Sequence, residues 1–375
     1  MVEIDSLEEL TAHLTNKKLT DLAFHALDLT SISSVLLKKN ISECLFLGCI
    51  IPEELLDHIS KKNYIFSNLD IPYHAYPSQL YTKETLYNGF NPKRPKSYNK
   101  TLDKMVYDHY MDTGKETQNI KETLARSLHD HSISNALYNF LSNYEDTQIV
   151  AIMGGHGLSR ANKTYYKIAS IAKKLTEKGF LLVSGGGPGA MEATHVGAWF
   201  AGKKMKTMKA AIAHLATAPL YNDKNWLKTA FEVLQKNPTS KYLSLGIPTW
   251  LYGHEPPTPF ATHIAKYFAN SVREEGLLAI AKGGVIYTPG SAGTMQEIFQ
   301  DIAQNHYESY SFASPMVFLN KTYWSYDRPI YPLLELLKLR GDLDNLDLGI
   351  YNSVSDVIKH IQSFRKSKKL SKKKN

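Results

Sequence analysis

The strongest constraint on the fold is an alternation that begins near residue 147, between short apolar runs ending in glycine and longer runs with helical spacing. TQIVAIMGG is followed by NKTYYKIASIAKKLTEKG, and FLLVSGGG is followed by PGAMEATHVGAWFAG. Short apolar runs bounded by glycine are typical of buried strands, and i, i+3, i+4 spacing with a glycine stop is typical of helices. The alternation predicts an α/β fold, a doubly wound and mostly parallel sheet with helices on both faces.

The alternation continues towards the end of the chain. We predict strands at AAIAHLA, KYLSLGI, GGVIYT, SPMVFLN and LGIYN, and helices at 224–236, at about 261–275, from the TPGSAGTMQE turn to about 306, at PLLELLKL and at the C-terminus. Residues 146–363 therefore form one Rossmann-like domain in this prediction.

The first 145 residues lack this regularity and are predicted to be an N-terminal accessory domain, either α/β or mainly helical. We find no internal repeat of fixed period in the chain. A segment rich in tyrosine and proline, residues 64–110, is interpreted as an ordered linker, with a lid over a ligand as the alternative. Cys44 and Cys49 lie in an apolar run, and their spacing matches no metal or redox pattern, so we interpret them as core thiols.

The net charge of +8 is concentrated at one end of the chain. Residues 364–375 carry seven positive charges and no acid, which leaves about +1 for the preceding 363 residues. We predict that this segment is a disordered basic tail, and we expect no nucleic-acid partner beyond a weak contact made by it. No signal peptide or membrane-spanning run is evident, so a cytoplasmic location and no membrane partner are expected.

Three glycine-rich segments follow predicted strands: GGHGLSR (154–160), SGGGPGAME (184–192) and TPGSAGTMQE (288–297). Ligands of such sheets bind outside the carboxyl ends of the strands, so the three segments are expected to share one crevice. Arg160 and Glu192 stand where a dinucleotide fingerprint requires its third glycine, which argues against a dehydrogenase. Glycine-rich backbone at a helix N-terminus instead favours a phosphate.

SGGGPGAMEATHVGA, the later Arg273 and TPGSAGTMQE together resemble the LOG ("lonely guy") family, over about residues 148–355. Members are often labelled lysine decarboxylases, but nothing in this sequence marks a lysine as a pyridoxal phosphate anchor. The resemblance implies a phosphoribohydrolase that cleaves the N-glycosidic bond of a nucleoside 5′-monophosphate to base and ribose 5-phosphate. It also implies a homodimer or higher homo-oligomer. We expect no cofactor and no metal site.

The resemblance assigns roles to individual positions. Arg273 and Glu297 match the catalytic arginine and glutamate, whose charges suit phosphate binding and an oxocarbenium-like transition state. The positions that match substrate-binding residues are Arg160, Gly185, Gly186, Gly187, Met191, Glu192, Gly290, Ser291, Gly293 and Thr294. Glu192 is also a candidate for a second acid, with protonation of the base by solvent as the alternative.

Two departures from the family pattern are present, Ser291 in place of a glycine and Glu274 in place of a lysine. They motivate a second hypothesis, a nucleotide-binding sensor that has kept the pocket without the chemistry. Glu297 also has a purely structural interpretation, because Thr294 and Glu297 have the spacing of a helix capping box. The N-terminal extension resembles that of larger bacterial members, which favours AMP, GMP, CMP or UMP over a cytokinin nucleotide as substrate.

Overall fold

A computed structural model of the protein describes the backbone of residues 1–372 and the side chains of residues 1–370. The chain divides into two compact units. The first comprises Met1–Leu80 and His109–Phe140, and the second comprises Tyr81–Asp108 and the chain from Leu141 onward. The tyrosine- and proline-rich segment 64–110 is therefore divided between the two units.

The first 145 residues contain six short strands and six helices. The strands are β1 (Val2–Ile4), β2 (Lys18–Thr20), β3 (Leu22–His25), β4 (Asn40–Ser42), β5 (Leu45–Leu47) and β6 (Tyr64–Phe66). The helices are α1 (Leu7–His13), α2 (Ser33–Leu36), α3 (Glu53–Ile59), α4 (Lys83–Leu86), α5 (Leu102–Asp112) and α6 (Ile120–Leu141). The strands form a parallel sheet in the order β1-β3-β5-β6 and a separate parallel pair, β2 and β4.

The first unit contains a repeat that the sequence analysis missed. Ile4, Phe24, Phe46 and Ile65 are successive partners across the sheet, and the Phe24 and Phe46 rings stack with centroids 4.6 Å apart. The apolar or thiol positions at Leu19, Leu22, Phe24, Leu27 and Leu29 recur 22 residues later as Ile41, Cys44, Phe46, Cys49 and Ile51. One strand in each segment of about this length is typical of stacked structural repeats. Successive sheet partners are separated by 20, 22 and 19 residues, so the repeat has no fixed period, and chemically different residues occupy its equivalent core positions.

The second unit is built around a seven-stranded sheet. Its strands are β7 (Ile149–Met153), β8 (Leu181–Ser184), β9 (Ser244–Gly246), β10 (His263–Ile264), β11 (Val285–Tyr287), β12 (Pro315–Leu319) and β13 (Asp347–Tyr351). Its later helices are α7 (Lys163–Thr176), α8 (Ala190–Trp199), α9 (Met205–Leu215), α10 (Trp226–Lys236), α11 (Asn270–Ile280), α12 (Ala292–His306), α13 (Ile330–Arg340) and α14 (Val354–Lys372).

Every pair of neighbouring strands in this sheet is parallel, in the order β10-β9-β8-β7-β11-β12-β13. All residues of β7, β8, β11 and β12 are buried, as expected for a sheet covered on both faces. The chain adds strands on one side of β7 up to β10, then returns to β11 on its other side. The predicted α/β fold is confirmed, and β7 and β11 flank the switch point at which ligands of such sheets bind.

Two predicted elements in the middle of this unit are wrong. AAIAHLA lies within α9 and is not a strand, because Met208, Ala211, Ile212 and Leu215 are buried at helical spacing. The helix predicted at about 261–275 is replaced by the short strand β10, followed by α11. Pairing of β10 with β9 adds an outer strand that the short apolar run did not indicate.

The predicted disordered tail is helical as far as the structure describes it, since α14 extends to Lys372. Residues 373–375 lie outside the described part. Val357 and Ile361 bury one face of this helix in the core. Further along, the Arg365 guanidinium lies 4.9 Å from the centre of the Phe180 ring. Lys369 pairs with Glu145 at 3.2 Å. Several basic side chains therefore contact the unit that the helix belongs to.

Within residues 1–372, no helix is both long enough and apolar enough to cross a membrane.

Candidate active site

A cavity of about 390 Å³ lies at the carboxyl ends of four strands of the second unit. Residues 154–156 line it after β7, and Gly185, Gly187 and Met191 line it after β8. The other lining residues are Pro248, Thr249, Tyr252 and Glu255 after β9, Arg273 and Glu274 on α11, and Ser291, Ala292, Gly293, Thr294, Gln296 and Glu297 after β11. The structure therefore brings the three glycine-rich segments into one crevice, and the volume is within the range of small-molecule sites.

The glycine loop after β8 is supported by a buried network of hydrogen-bonded side chains. The Ser184 hydroxyl accepts a bond from the Gly186 N–H at 3.1 Å and lies 2.9 Å from His195 Nε2, whose other ring nitrogen lies 2.9 Å from the Ser244 hydroxyl. Burial lowers the pKa of His195 to about 3, so the ring is neutral. The loop rests on a network whose polar groups are satisfied within the protein.

Arg273 reaches the cavity from the first turn of α11 and lies against this glycine loop. Its Nε donates to the Ile247 carbonyl at 2.9 Å, which fixes the orientation of the guanidinium. A Cβ atom at Gly185 would lie 2.1 Å from Arg273 Nη2, so the position must be glycine for the arginine to occupy this place.

The N-terminus of α12 opens into the same cavity. The helix begins at Ala292 with Ser291 as N-cap, and the Ser291 side chain makes no capping bond. The capping-box interpretation of Thr294 and Glu297 is therefore wrong, because the helix begins before Thr294, and Glu297 lies in its second turn. Ser291, Ala292 and Gly293 are exposed. The first N–H groups of a helix lack intrahelical partners, which leaves this end suited to an anion.

Ser291 does not distort the turn. Its φ of −101° is one that any residue adopts, so the position does not need the glycine that the family pattern has there.

Glu297 has an unusual electrostatic environment. Burial raises the pKa of its carboxyl to about 7, the Arg273 guanidinium opposes the rise, and the Glu274 carboxylate adds to it. Glu274 is itself held by the side-chain amides of Asn270 at 2.7 Å and Gln296 at 2.8 Å. A carboxyl group with a pKa in this range can both accept and donate a proton near neutral pH.

Arg160 and Glu192 do not line this cavity. Arg160 is 1% exposed, and its Nε donates to Glu192 at 2.7 Å. The Tyr165 hydroxyl also donates to Glu192, at 2.9 Å, and Arg160 Nη1 donates to the Thr229 hydroxyl at 2.9 Å and to the Trp226 carbonyl at 3.1 Å. These bonds hold α7, α8 and α10 together. The prediction that both residues contact substrate, and that Glu192 is an acid, is corrected to a buried structural pair.

Eight of the remaining predicted site residues line the cavity. They are Arg273, Glu297, Gly185, Gly187, Met191, Ser291, Gly293 and Thr294. Gly186 has a φ of +70° and packs against Pro248, while Gly290 lies behind Thr294 and accepts a bond from the Tyr323 hydroxyl. These two glycines shape the loops without lining the cavity.

Sequence reasoning missed five polar or aromatic side chains of the cavity: His156, Thr249, Tyr252, Glu255 and Gln296. His156 and Gln296 lie inside the quoted glycine segments. Tyr252 and Glu255 lie in the proline-rich loop after β9, where neither spacing nor periodicity distinguishes a lining residue from a solvated one. Only the folding of that loop over the strand ends reveals them.

Within residues 1–372, no group of three or more histidine, cysteine, aspartate or glutamate side chains has the geometry of a metal site.

Comparisons with known proteins find similarity to solved structures only. No protein-family model matches the sequence, and no curated protein matches it. Solved structures similar to it include the molybdenum cofactor carrier protein of Chlamydomonas reinhardtii, with 14% identity and a TM-score of 0.35 over 57% of this chain and 96% of that one. The molybdenum cofactor binding protein of Rippkaea orientalis has 16% identity and a TM-score of 0.34 over 58% and 96%.

Proposed function

We propose that this protein hydrolyses the N-glycosidic bond of nucleoside 5′-monophosphates, with Arg273 and Glu297 as catalytic residues. The observation that carries the proposal is the presence of both side chains in one cavity with the uncapped N-terminus of α12. The resemblance to the LOG family supports the same assignment.

The phosphate of the substrate would bind between α12 and Arg273. A helix N-terminus and a guanidinium are complementary to a phosphate dianion, and each contributes hydrogen bonds as well as charge. The bond from Arg273 Nε to Ile247 leaves the Nη groups to face the ligand. Binding of a group remote from the scissile bond would then orient the ribose for reaction.

Glu297 would act at the ribose. Cleavage proceeds through a state in which C1′ carries positive charge, and a carboxylate beside the sugar stabilises that charge. The same group can accept the proton of the attacking water, because its pKa near 7 suits a general base at neutral pH.

The test is incubation of the purified protein with AMP, GMP, CMP and UMP, followed by chromatography for free base and ribose 5-phosphate. We expect at least one nucleotide to be cleaved. Glu297→Gln should remove the activity, while Glu275→Gln, an exposed carboxylate on the same helix as Arg273, should retain it. Intact nucleotides throughout the panel would contradict the proposal.

A second candidate is a nucleotide-binding sensor without turnover. Glu274 favours it, because this carboxylate is held within the cavity lining and reduces the positive charge around Glu297. Calorimetry of the same four nucleotides would distinguish the two functions, since a sensor binds one of them without forming products.

A further inference from the structure

We propose that Glu255 is a second catalytic carboxylate of the cavity, which donates the proton that the departing base requires. The inference rests on the proposed hydrolysis and assigns the acid that Arg273 and Glu297 do not supply.

Glu255 is held over the cavity by the loop that follows β9. Its N–H donates to the Tyr252 carbonyl at 2.8 Å, and the Thr258 N–H donates to the Gly186 carbonyl at 2.8 Å. The loop is thereby joined to the glycine segment after β8. A Cβ atom at Gly187 would lie 3.7 Å from Glu255 Oε2, so the carboxyl group faces that segment. Its side chain is only 12% exposed.

The surroundings of Glu255 include groups that suit a nucleobase. Met191, Tyr252 and His156 line the cavity with it and offer apolar and aromatic surface, on which a nucleobase can stack. The Arg273 guanidinium lies against Gly185 and Ile247, after β8 and β9, whereas the N-terminus of α12 belongs to the β11 side of the cavity. A nucleotide whose phosphate binds at the N-terminus of α12, with Arg273 beside it, would place its nucleobase towards Met191, Tyr252 and Glu255.

Glu255 also has partners that can resupply a proton. His156 Nδ1 lies 3.7 Å and His254 Nε2 lies 3.8 Å from Glu255 Oε1, and both rings are about half-exposed. Burial raises the pKa of Glu255, while His156, His254 and Arg273 each oppose the rise. A carboxyl group in this setting can hold a proton, lose it within the cavity and regain it from solvent through either imidazole.

The proposed step is balanced without a further reactant. The C1′–N bond breaks, its electron pair stays with the base, and the base takes the proton from Glu255. Water adds to C1′ and its proton passes to Glu297. Solvent then returns a proton to Glu255 and accepts one from Glu297, so that nucleotide and water yield base and ribose 5-phosphate.

The experiment compares two substrates that differ in their need for an acid. One is the monophosphate that the wild-type protein cleaves fastest; the other is p-nitrophenyl ribofuranoside 5-phosphate, whose leaving group departs without protonation. Because general acid catalysis contributes about 10²- to 10⁴-fold, Glu255→Gln should slow the nucleotide by that factor and the nitrophenyl compound by less than about tenfold. The decline of nucleotide hydrolysis on the high-pH side of its optimum should also disappear in this variant.

Glu297→Gln is the matched comparison, because a residue that acts at the ribose should slow both substrates together. Equal slowing of both substrates by Glu255→Gln would overturn the inference and make Glu255 a positioning residue. An unchanged rate on the nucleotide would also overturn it, with the proposed function intact. If the wild-type protein cleaves neither compound, the proposed function itself fails.

Discussion

Two arginine–glutamate combinations in the second unit have the same chemistry and different environments. Arg160 and Glu192 are buried, and they are bonded to each other and to neighbouring helices. Arg273 and Glu297 line a cavity, and the Arg273 guanidinium is anchored through Nε to a backbone carbonyl instead. The charges of the Arg160–Glu192 pair are satisfied by each other, so the pair cannot bind a ligand. Arg273 and Glu297 line the cavity, and the raised pKa of Glu297 shows that its carboxylate is not fully satisfied within the protein, so both groups can bind a ligand. The comparison shows that residue type alone does not identify a site.

The largest effect should come from breaking the closed pair. Arg160→Ala leaves the Glu192 carboxylate buried without its counter-charge, which lowers the free energy of unfolding by about 3–5 kcal/mol. Urea denaturation followed by circular dichroism measures it. Arg273→Ala is the control and should lower the free energy of unfolding by less, at most about 1.5–3 kcal/mol, because it removes one hydrogen bond of a charged group at a cavity edge and leaves no fully buried carboxylate unpaired. Similar losses in the two variants would break the distinction between the pairs.

A smaller effect is expected from a conservative change in the open pair. Arg273→Lys keeps the charge but loses the guanidinium fork that binds the Ile247 carbonyl and that, in the proposed function, binds a phosphate. Loss of one hydrogen bond to a charged group is worth about 1.5–3 kcal/mol, so kcat/KM for the cleaved nucleotide should fall by about 10- to 150-fold. Arg340→Lys, an exposed change on α13, should leave the kinetics unaltered. Full activity of Arg273→Lys would show that charge alone suffices.

The pH dependence of stability should reveal the raised pKa of Glu297. The pKa of Glu297 is raised from 4.5 to about 7 in the folded protein, so its contribution to stability is complete below pH 4.5 and is lost as pH rises through 7. Wild-type protein should therefore lose stability relative to Glu297→Gln across that window. Denaturation at several pH values measures the difference. The buried Asp301, whose pKa is also raised to about 7, is common to both proteins and cancels. A constant difference would contradict the prediction.

The smallest effect should come from Ser291→Gly. Ser291 is exposed, makes no capping bond and has a negative φ, so unfolding free energy should change by only a few tenths of a kcal/mol. Gly189→Ala is the contrasting variant in the other glycine loop. Its φ is +68° and a Cβ would lie 2.4 Å from the Gly155 carbonyl oxygen, so about 1–3 kcal/mol should be lost. A large loss in Ser291→Gly would show that the hydroxyl supports the turn.

Much of the second unit was predictable because its elements repeat a local pattern. Apolar runs ending in glycine predicted β7, β8 and β11, and the parallel order follows from their alternation with helices. AAIAHLA was assigned wrongly because a short alanine-rich run fits a strand or a buried helix equally, and only packing of Met208 and Leu215 decides between them. The repeat in the first unit was difficult to detect in the sequence because Cys44 and Cys49 occupy the positions that Leu22 and Leu27 occupy 22 residues earlier.

The sequence by itself determined the α/β fold of the second unit, the three glycine turns and the candidacy of Arg273 and Glu297. The fold and the turns depend on neighbours within a few residues of the chain, and the candidacy of Arg273 and Glu297 depends on motifs that resemble those of the LOG family. The tertiary structure decided that Arg160 and Glu192 are joined in the core, that Glu255 faces the glycine loop, and that α14 continues to Lys372. Those outcomes depend on burial and on contacts between distant segments, and it is burial that determines whether a charged group is neutralised by a partner or left available to a ligand.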